Sequence, residues 1–173
     1  IASALFVALY IFDELNYDKF NEKGERIYRM NLHGKLSGQE IYTTNTSPPM
    51  YKALVSEIPE VEEAVRVRDM GEWIFRNETI AFNETDIYTA DSNFFSVFSF
   101  KMLHGNPETA LVDPQSLVIS ENLAKKYFTE ASSALDQTLS IGNNKTSYRI
   151  TGVVENMRAD SHLKFNALLS SRS

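Results

Sequence analysis

An uncharged apolar run opens the chain and stops abruptly. IASALFVALYIF, in which Ser3 is the one small polar residue, gives way at once to DELNYDKFNEKGERIYRM. At about 1.5 Å of rise per residue, a helix over this run is roughly 18 Å long. A bilayer core needs ~30 Å, or about 20 apolar residues. Two structures fit: a helix buried in the chain's own core, or the last part of a membrane-spanning helix. The run is apolar all round up to Phe12, whereas a surface helix shows one apolar stripe, and this favours the end of a span. A secretory leader fits poorly, because no basic residue precedes the run and the bulky Tyr10, Ile11 and Phe12 leave no cleavage site. After the run, no Lys or Arg occurs until Lys19, so the positive-inside rule places the downstream chain outside the cytoplasm.

At 173 residues the chain has the size of one domain or two small subdomains. A net charge of −6 argues against a nucleic-acid partner, whose phosphates are met by basic residues. The absence of cysteine rules out disulfides, thiol catalysis and thiolate metal sites.

Periodicity then divides the chain. The first helix narrows to a stripe through Leu15 and Phe20 and should end near Gly24. RIYRMNLHGKL reads as a strand, the stretch from Gly34 to Gly38 as a turn, and QEIYTTNT as a return strand. Ser47 before Pro48 suggests a helix cap, with Met50, Leu54 and Ile58 on one stripe and Pro59 as the stop. VEEAVRVRDM alternates as a strand. From Gly71 to Ala90 the pattern suggests a meander of EWIFRN, ETIAFN and DIYTA, with Asn77 and Asn83 at turns. Asp91 should cap a short aromatic helix, SNFFSVFSF, and Asn106-Pro107 should start a helical turn. SLVIS reads as a buried strand, and Ser120 as the cap of ENLAKKYF, where Glu121 and Lys125 are spaced for a helix ion pair. TLSIG and TSYRITGVVEN form a hairpin about Gly142-Asn143-Asn144, with Gly152 at a bulge. HLKFNALL closes as an alternating strand. Strand–helix–strand units beside a separate meander indicate an α+β domain with two lobes.

No phosphate loop, dinucleotide fingerprint, HExxH motif or nucleophile elbow is present. His33, His104 and His162 share no spacing and read as surface histidines, since a metal site needs converging ligands. Asp13, Glu14 and Asp18 form an acidic knot that fits the solvated face of a helix better than a metal or acid–base site. Asp91-Ser92-Asn93 begins like a calcium loop but lacks the later ligands. Asn45, Asn77, Asn83 and Asn144 begin glycosylation sequons that matter only in a glycosylating pathway. Phe94, Phe95, Phe98 and Phe100 read as core. Trp73 and Phe75, if exposed, mark an interaction surface.

The ordered set FDELNYDKFNEKGERIYRM, IPEVEEAVRVR, ADSNFFSVFSFKMLHGNPETAL, LVISENLAKKYF and YRITGVVENMRADSHLKFNALLS resembles the MacB-like periplasmic core domain of FtsX-like ABC transporter permeases. The resemblance covers almost the whole chain and implies a porter-like α/β lobe plus a smaller strand-rich lobe at about 71–115, with residues 1–22 as the end of the first transmembrane helix and stalk and 23–173 as the periplasmic core domain. It implies a transmembrane helix before the domain, further helices after it, and relatives that continue beyond SSRS before re-entering the membrane. It implies a bacterial inner-membrane protein with this domain in the periplasm, a second permease subunit and a cytoplasmic ATPase as partners, and an adaptor, lipoprotein or peptide substrate outside. Its function would be mechanotransmission: ATP-driven movement reaches the domain through the stalk, here Phe12, Asp13, Glu14, Leu15, Tyr17 and Phe20, and drives export or release. No catalytic residue, metal or cofactor is implied, since ATP hydrolysis would occur on the separate ATPase. A ligand-binding extracytoplasmic sensor is the alternative, and it should show one enclosed polar pocket.

Overall fold

A hairpin of two long strands, rather than a meander of three short ones, organises the middle of the chain in the computed structural model. The structure describes residues 2–172, with the side chains at positions 2, 4, 8, 13, 15 and 36 outside the description. The elements in order are α1 (Ala2–Asn16), β1 (Leu32–Leu36), β2 (Gln39–Thr43), α2 (Met50–Glu57), β3 (Val67–Arg76), β4 (Ala81–Ala90), α3 (Phe94–Val97), β5 (Met102–Gly105), β6 (Ser116–Ser120), α4 (Glu121–Phe128), β7 (Thr138–Ile141), β8 (Thr146–Val154) and β9 (Ala167–Ser170). Short 3-10 turns lie at Gly24–Arg26 and Ala131–Ala134.

β1 and β2 form a separate two-stranded sheet, and the other strands form one seven-stranded sheet in the order β5-β8-β6-β9-β4-β3-β7. β7 bonds β3 through Phe75 and Arg76 and also pairs along β8, so the sheet folds back and closes on itself. β6 lies between parallel β8 and antiparallel β9. Both of its faces are covered, which is why SLVIS is apolar without a polar side. Leu117 and Ile119 point into one core with Phe75, Ile87, Leu139 and Ile150, and α4 adds Leu123, Ala124 and Tyr127. Val118 points the other way, into a second core with Phe94, Leu111, Phe165 and Leu168.

Local signals hold where their chemistry is local. Ser120 Oγ accepts from the Leu123 N–H at 3.3 Å and caps α4, and Lys125 meets Glu121 at 2.6 Å. The β6–β8 register skips Thr151 beside Gly152, which is the expected bulge. Asn77 Oδ1 accepts from the Thr79 and Ile80 N–H groups in the β3–β4 turn.

Other expectations change. In β4, ETIAFN and DIYTA merge, and Asn83 pairs with Ile74 in mid-strand instead of turning the chain. The irregularity falls at Gly71 in β3, where φ is +71° and the register shifts on both sides. Residues 71–115 thus supply most of β3, all of β4 and the unexpected β5 to the same sheet as β6–β9. The strand expected from 26 onward starts only at Leu32, because β2 offers partners no further than Thr43. The strand expected across 61–70 starts at Val67, where β4 begins to pair with it. HLKFNALL is regular only at Ala167–Ser170, where all four residues are buried between β4 and β6. α2 begins after Pro49 with no side-chain cap, so Ser47 does not serve as one. Asp91 does not cap α3 with its side chain either, since its carboxylate is taken up by Arg66 and Ser171.

α1 ends at Asn16, short of the expected Gly24, because Asp18 turns the chain with φ of 56°. Leu5, Leu9 and Phe12 are 61%, 57% and 68% exposed, so they are not buried in this chain's core. Among the described residues no helix is long and apolar enough to cross a membrane by itself.

Candidate functional site

The end of α1 is fastened to the body at two places, and together they make a joint. At the first, the Asp18 N–H donates to Asp160 O at 2.8 Å. The Asp18 carboxylate accepts from the His162 N–H at 2.9 Å, and its other oxygen lies 2.7 Å from His162 Nδ1. The Tyr17 hydroxyl donates to Ala159 O at 3.3 Å, and the Tyr17 ring meets the His162 ring edge-on at 4.4 Å. Asp160 is itself held by Arg158 through two bonds of 2.9 Å, and these keep its carboxyl below the usual range.

At the second place the partner is the end of α3 and the segment after it. Asn21 is buried. Its Oδ1 accepts from the Ser99 N–H at 3.0 Å, and Ser99 Oγ accepts from the Glu22 N–H at 3.0 Å. Lys23 Nζ donates to Ser96 O at 2.8 Å. Phe20 sits between the two fastenings, with its ring 5.3 Å from Phe100 and the Arg158 guanidinium 5.8 Å from its centre. A cleft of about 130 Å³ opens there, lined by Phe20, Phe100, Lys101 and Arg158 among others.

Of the residues singled out in the sequence, Tyr17 and Phe20 reach the joint. Phe12 and Glu14 stay exposed on α1, and the side chains of Asp13 and Leu15 lie outside the described set. Asn21, Ser99 and Asp160 carry no signal in the sequence, because their partners are 77 or more residues away or lie in loops. The sequence marks His162 only as a surface histidine. Its ring is exposed, but its backbone and Nδ1 grip Asp18 across 144 residues.

Trp73 and Phe75 do not form one surface. Phe75 is wholly buried in the first core, which removes it as an interaction residue. Trp73 is 38% exposed and donates to Met70 O at 2.8 Å. Its ring lies over Gly142, where a Cβ would come within 2.6 Å of it and φ is +77°, so it covers the β7–β8 turn.

Two polar clusters brace the body. Arg66 grips Asp91 through Nη2 at 2.7 Å and Nε at 2.9 Å, Ser171 donates to Asp91 at 2.6 Å, and the Tyr51 ring lies 4.3 Å from the Arg66 guanidinium. Burial pushes the Asp91 carboxyl up, but Arg66 and Ser171 outweigh it and hold the group below the usual range. Glu84 accepts from Lys126 and from the Tyr127 hydroxyl, each at 2.7 Å. Burial, then this carboxylate, raise the Tyr127 phenol. Among the described residues no three His, Asp or Glu side chains gather as a metal site.

A mixed sheet closed on itself thus carries a helix whose end is fastened to it by a polar joint. The family model of the MacB-like periplasmic core domain matches residues 1–171, and the chain belongs to that family. It is therefore a MacB-like periplasmic core domain, an extracytoplasmic one. A crystallised domain of a protein assigned as a permease in Porphyromonas gingivalis is similar over 76% of this chain and 55% of that one, at 25% identity and a TM-score of 0.67. The periplasmic region of MacB from Actinobacillus actinomycetemcomitans shares the fold over 71% of this chain and 55% of its own, at 19% identity and a TM-score of 0.50. The chain thus matches about half the length of these solved structures. No curated protein matches it by sequence.

Proposed function

We propose that the domain transmits ATP-driven movement across the membrane, with α1 as the end of a transmembrane helix and stalk. In this reading residues 1–22 are the stalk and 23–173 the periplasmic core domain of a bacterial inner-membrane permease. ATP hydrolysis belongs to a separate cytoplasmic ATPase, and a second permease subunit completes the transporter. Phe12, Asp13, Glu14, Leu15, Tyr17 and Phe20 form the coupling segment, and the work done outside is export or release of a substrate, which an adaptor, lipoprotein or peptide would receive or constitute.

The observation that carries this reading is the joint. α1 leaves Leu5, Leu9 and Phe12 exposed, yet its end is fastened by Tyr17, Asp18 and Asn21 to loops far along the chain, so a push on it must reach those loops. The sensor alternative gains little support from the cleft beside Phe20. At about 130 Å³ it is smaller than the ~300–1,000 Å³ of most ligand pockets.

The test is Asn16→Pro in the full transporter. Proline at the last residue of α1 removes a helix hydrogen bond and clashes with the preceding turn, at a local cost of about 3 kcal/mol or more. Reconstituted transporter should then hydrolyse ATP without exporting, provided that expression and membrane insertion are normal. A variant that inserts and exports at the wild-type rate refutes the stalk as coupling element and favours the sensor.

A further inference from the structure

The geometry points to Asn21 as the fulcrum about which the stalk turns, with the Asp18–His162 pair as a breakable latch beside it, an inference that rests on the stalk reading. The two fastenings of the joint differ physically. Asn21 is 8% exposed and uses both ends of its amide: Nδ2 donates to Asp18 O at 3.2 Å and Oδ1 accepts from the Ser99 N–H. Ser99 returns a bond through its own hydroxyl to the Glu22 N–H. The two residues thus bond each other's stretch of chain reciprocally, with Asn21 buried and Ser99 half-buried, and a buried polar group left half-satisfied is costly.

Ser99 is also held by its neighbours in the chain. It lies between Phe98 and Phe100, and Phe100 stacks on Phe94 at 5.7 Å and 8° and meets Phe165 edge-on at 5.1 Å. Phe94 and Phe165 are buried in the second core. Asn21 is therefore tied to an aromatic block of the second core.

The latch has the opposite character. The Asp18 and His162 side chains are 38% and 74% exposed, and water competes with exposed pairs of this kind. Asp18 also lies nearer α1 than Asn21 does, so a swing of the helix strains Asp18–His162 first while the Asn21–Ser99 box holds. Asn21 is a positioning residue in this scheme: it sets the angle at which the stalk leaves the body.

Double electron–electron resonance in the full-length permease with its ATPase, in lipid nanodiscs and otherwise free of cysteine, reads this directly. Labels go at Glu14→Cys on α1 and Glu108→Cys in the turn after β5, both exposed. The wild type should give one narrow distance distribution. His162→Ala, which removes the Nδ1 bond and the ring contact with Tyr17 but leaves the backbone bonds of the latch, should add a second, equally narrow distance, because the weakened latch opens about an intact fulcrum. Asn21→Ala should broaden the distribution, and Asn21→Asp, which keeps the acceptor for the Ser99 N–H, should restore most of its sharpness. Ser99→Ala, which removes only the hydroxyl bond, should broaden it less than Asn21→Ala and covers the case in which Asn21→Ala fails to fold. An Asn21→Ala distribution as narrow as wild type overturns the inference, as does equal broadening by His162→Ala. If Asn21→Ala broadens the distances while Asn16→Pro still exports, the fulcrum stands and the coupling function fails.

Discussion

β6 and β2 are both five-residue strands, yet every residue of β6 is buried, while four residues of β2 are exposed and the fifth is half-buried. α4 and α2 repeat the contrast. Each has eight residues, but α4 is capped by Ser120 and buries Leu123, Ala124 and Tyr127, whereas α2 has no side-chain cap and buries nothing. Short helices and lone hairpins hold together in water mainly through tertiary packing. The body from β3 to β9 provides that packing. The region from α1 to α2 is attached to it mostly by side-chain bonds, such as Asp18 to His162, Asn21 to Ser99 and Tyr51 to Arg66. Stability is thus concentrated in one part of the chain and the freedom to move in the other.

The widest separation of the two regions should appear in core truncations. Leu117→Ala removes a fully buried side chain and should destabilise the domain by about 2–5 kcal/mol in urea unfolding. Ile41→Ala in β2, at a residue 37% exposed, should change it by about 0.5 kcal/mol or less. Equal losses would mean that the arm is part of the cooperative core.

Acid should act on the body through Asp91. Its folded-state carboxyl lies below the usual value, so its stabilising contribution is complete above the unfolded value of about 3.9 and is lost as pH falls through the folded one. As pH falls from about 4 through the folded value, wild-type stability should therefore drop more steeply than that of Asp91→Asn. Parallel curves would show that the Arg66 and Ser171 contacts do not stabilise the charge.

Smaller still is the cap. Ser120→Ala deletes the side-chain acceptor of the Leu123 N–H and should cost about 1 kcal/mol. The same change at Ser47, which caps nothing, should be nearly silent.

The same contrast explains what is legible in the sequence. The Ser120 cap and the β7–β8 hairpin depend on residues close in the chain, and each is readable there; the Gly152 bulge is readable from the glycine alone, although its partner β6 is distant. The closed sheet is not, because β4 pairs with β9 across Ile87 and Ala167 and no local pattern encodes that partner. β3 and β4 look like shorter strands because Gly71 and Asn83 resemble turn residues, while a bulge and a pairing with Ile74 absorb them. The apolar run predicts the exposed helix α1, and Tyr17 and Phe20 enter with the family resemblance. Asn21 and His162 do not, since their contacts exist only once the ends of the chain meet.

Hydrogen exchange of the full transporter, compared between its ATP-bound and nucleotide-free states, tests the account at its centre. Movement through the joint predicts altered exchange at 16–24, 96–101 and 155–162, with β6 and β9 unchanged. Exchange that changes in β1 and β2 while those three segments stay constant would contradict it.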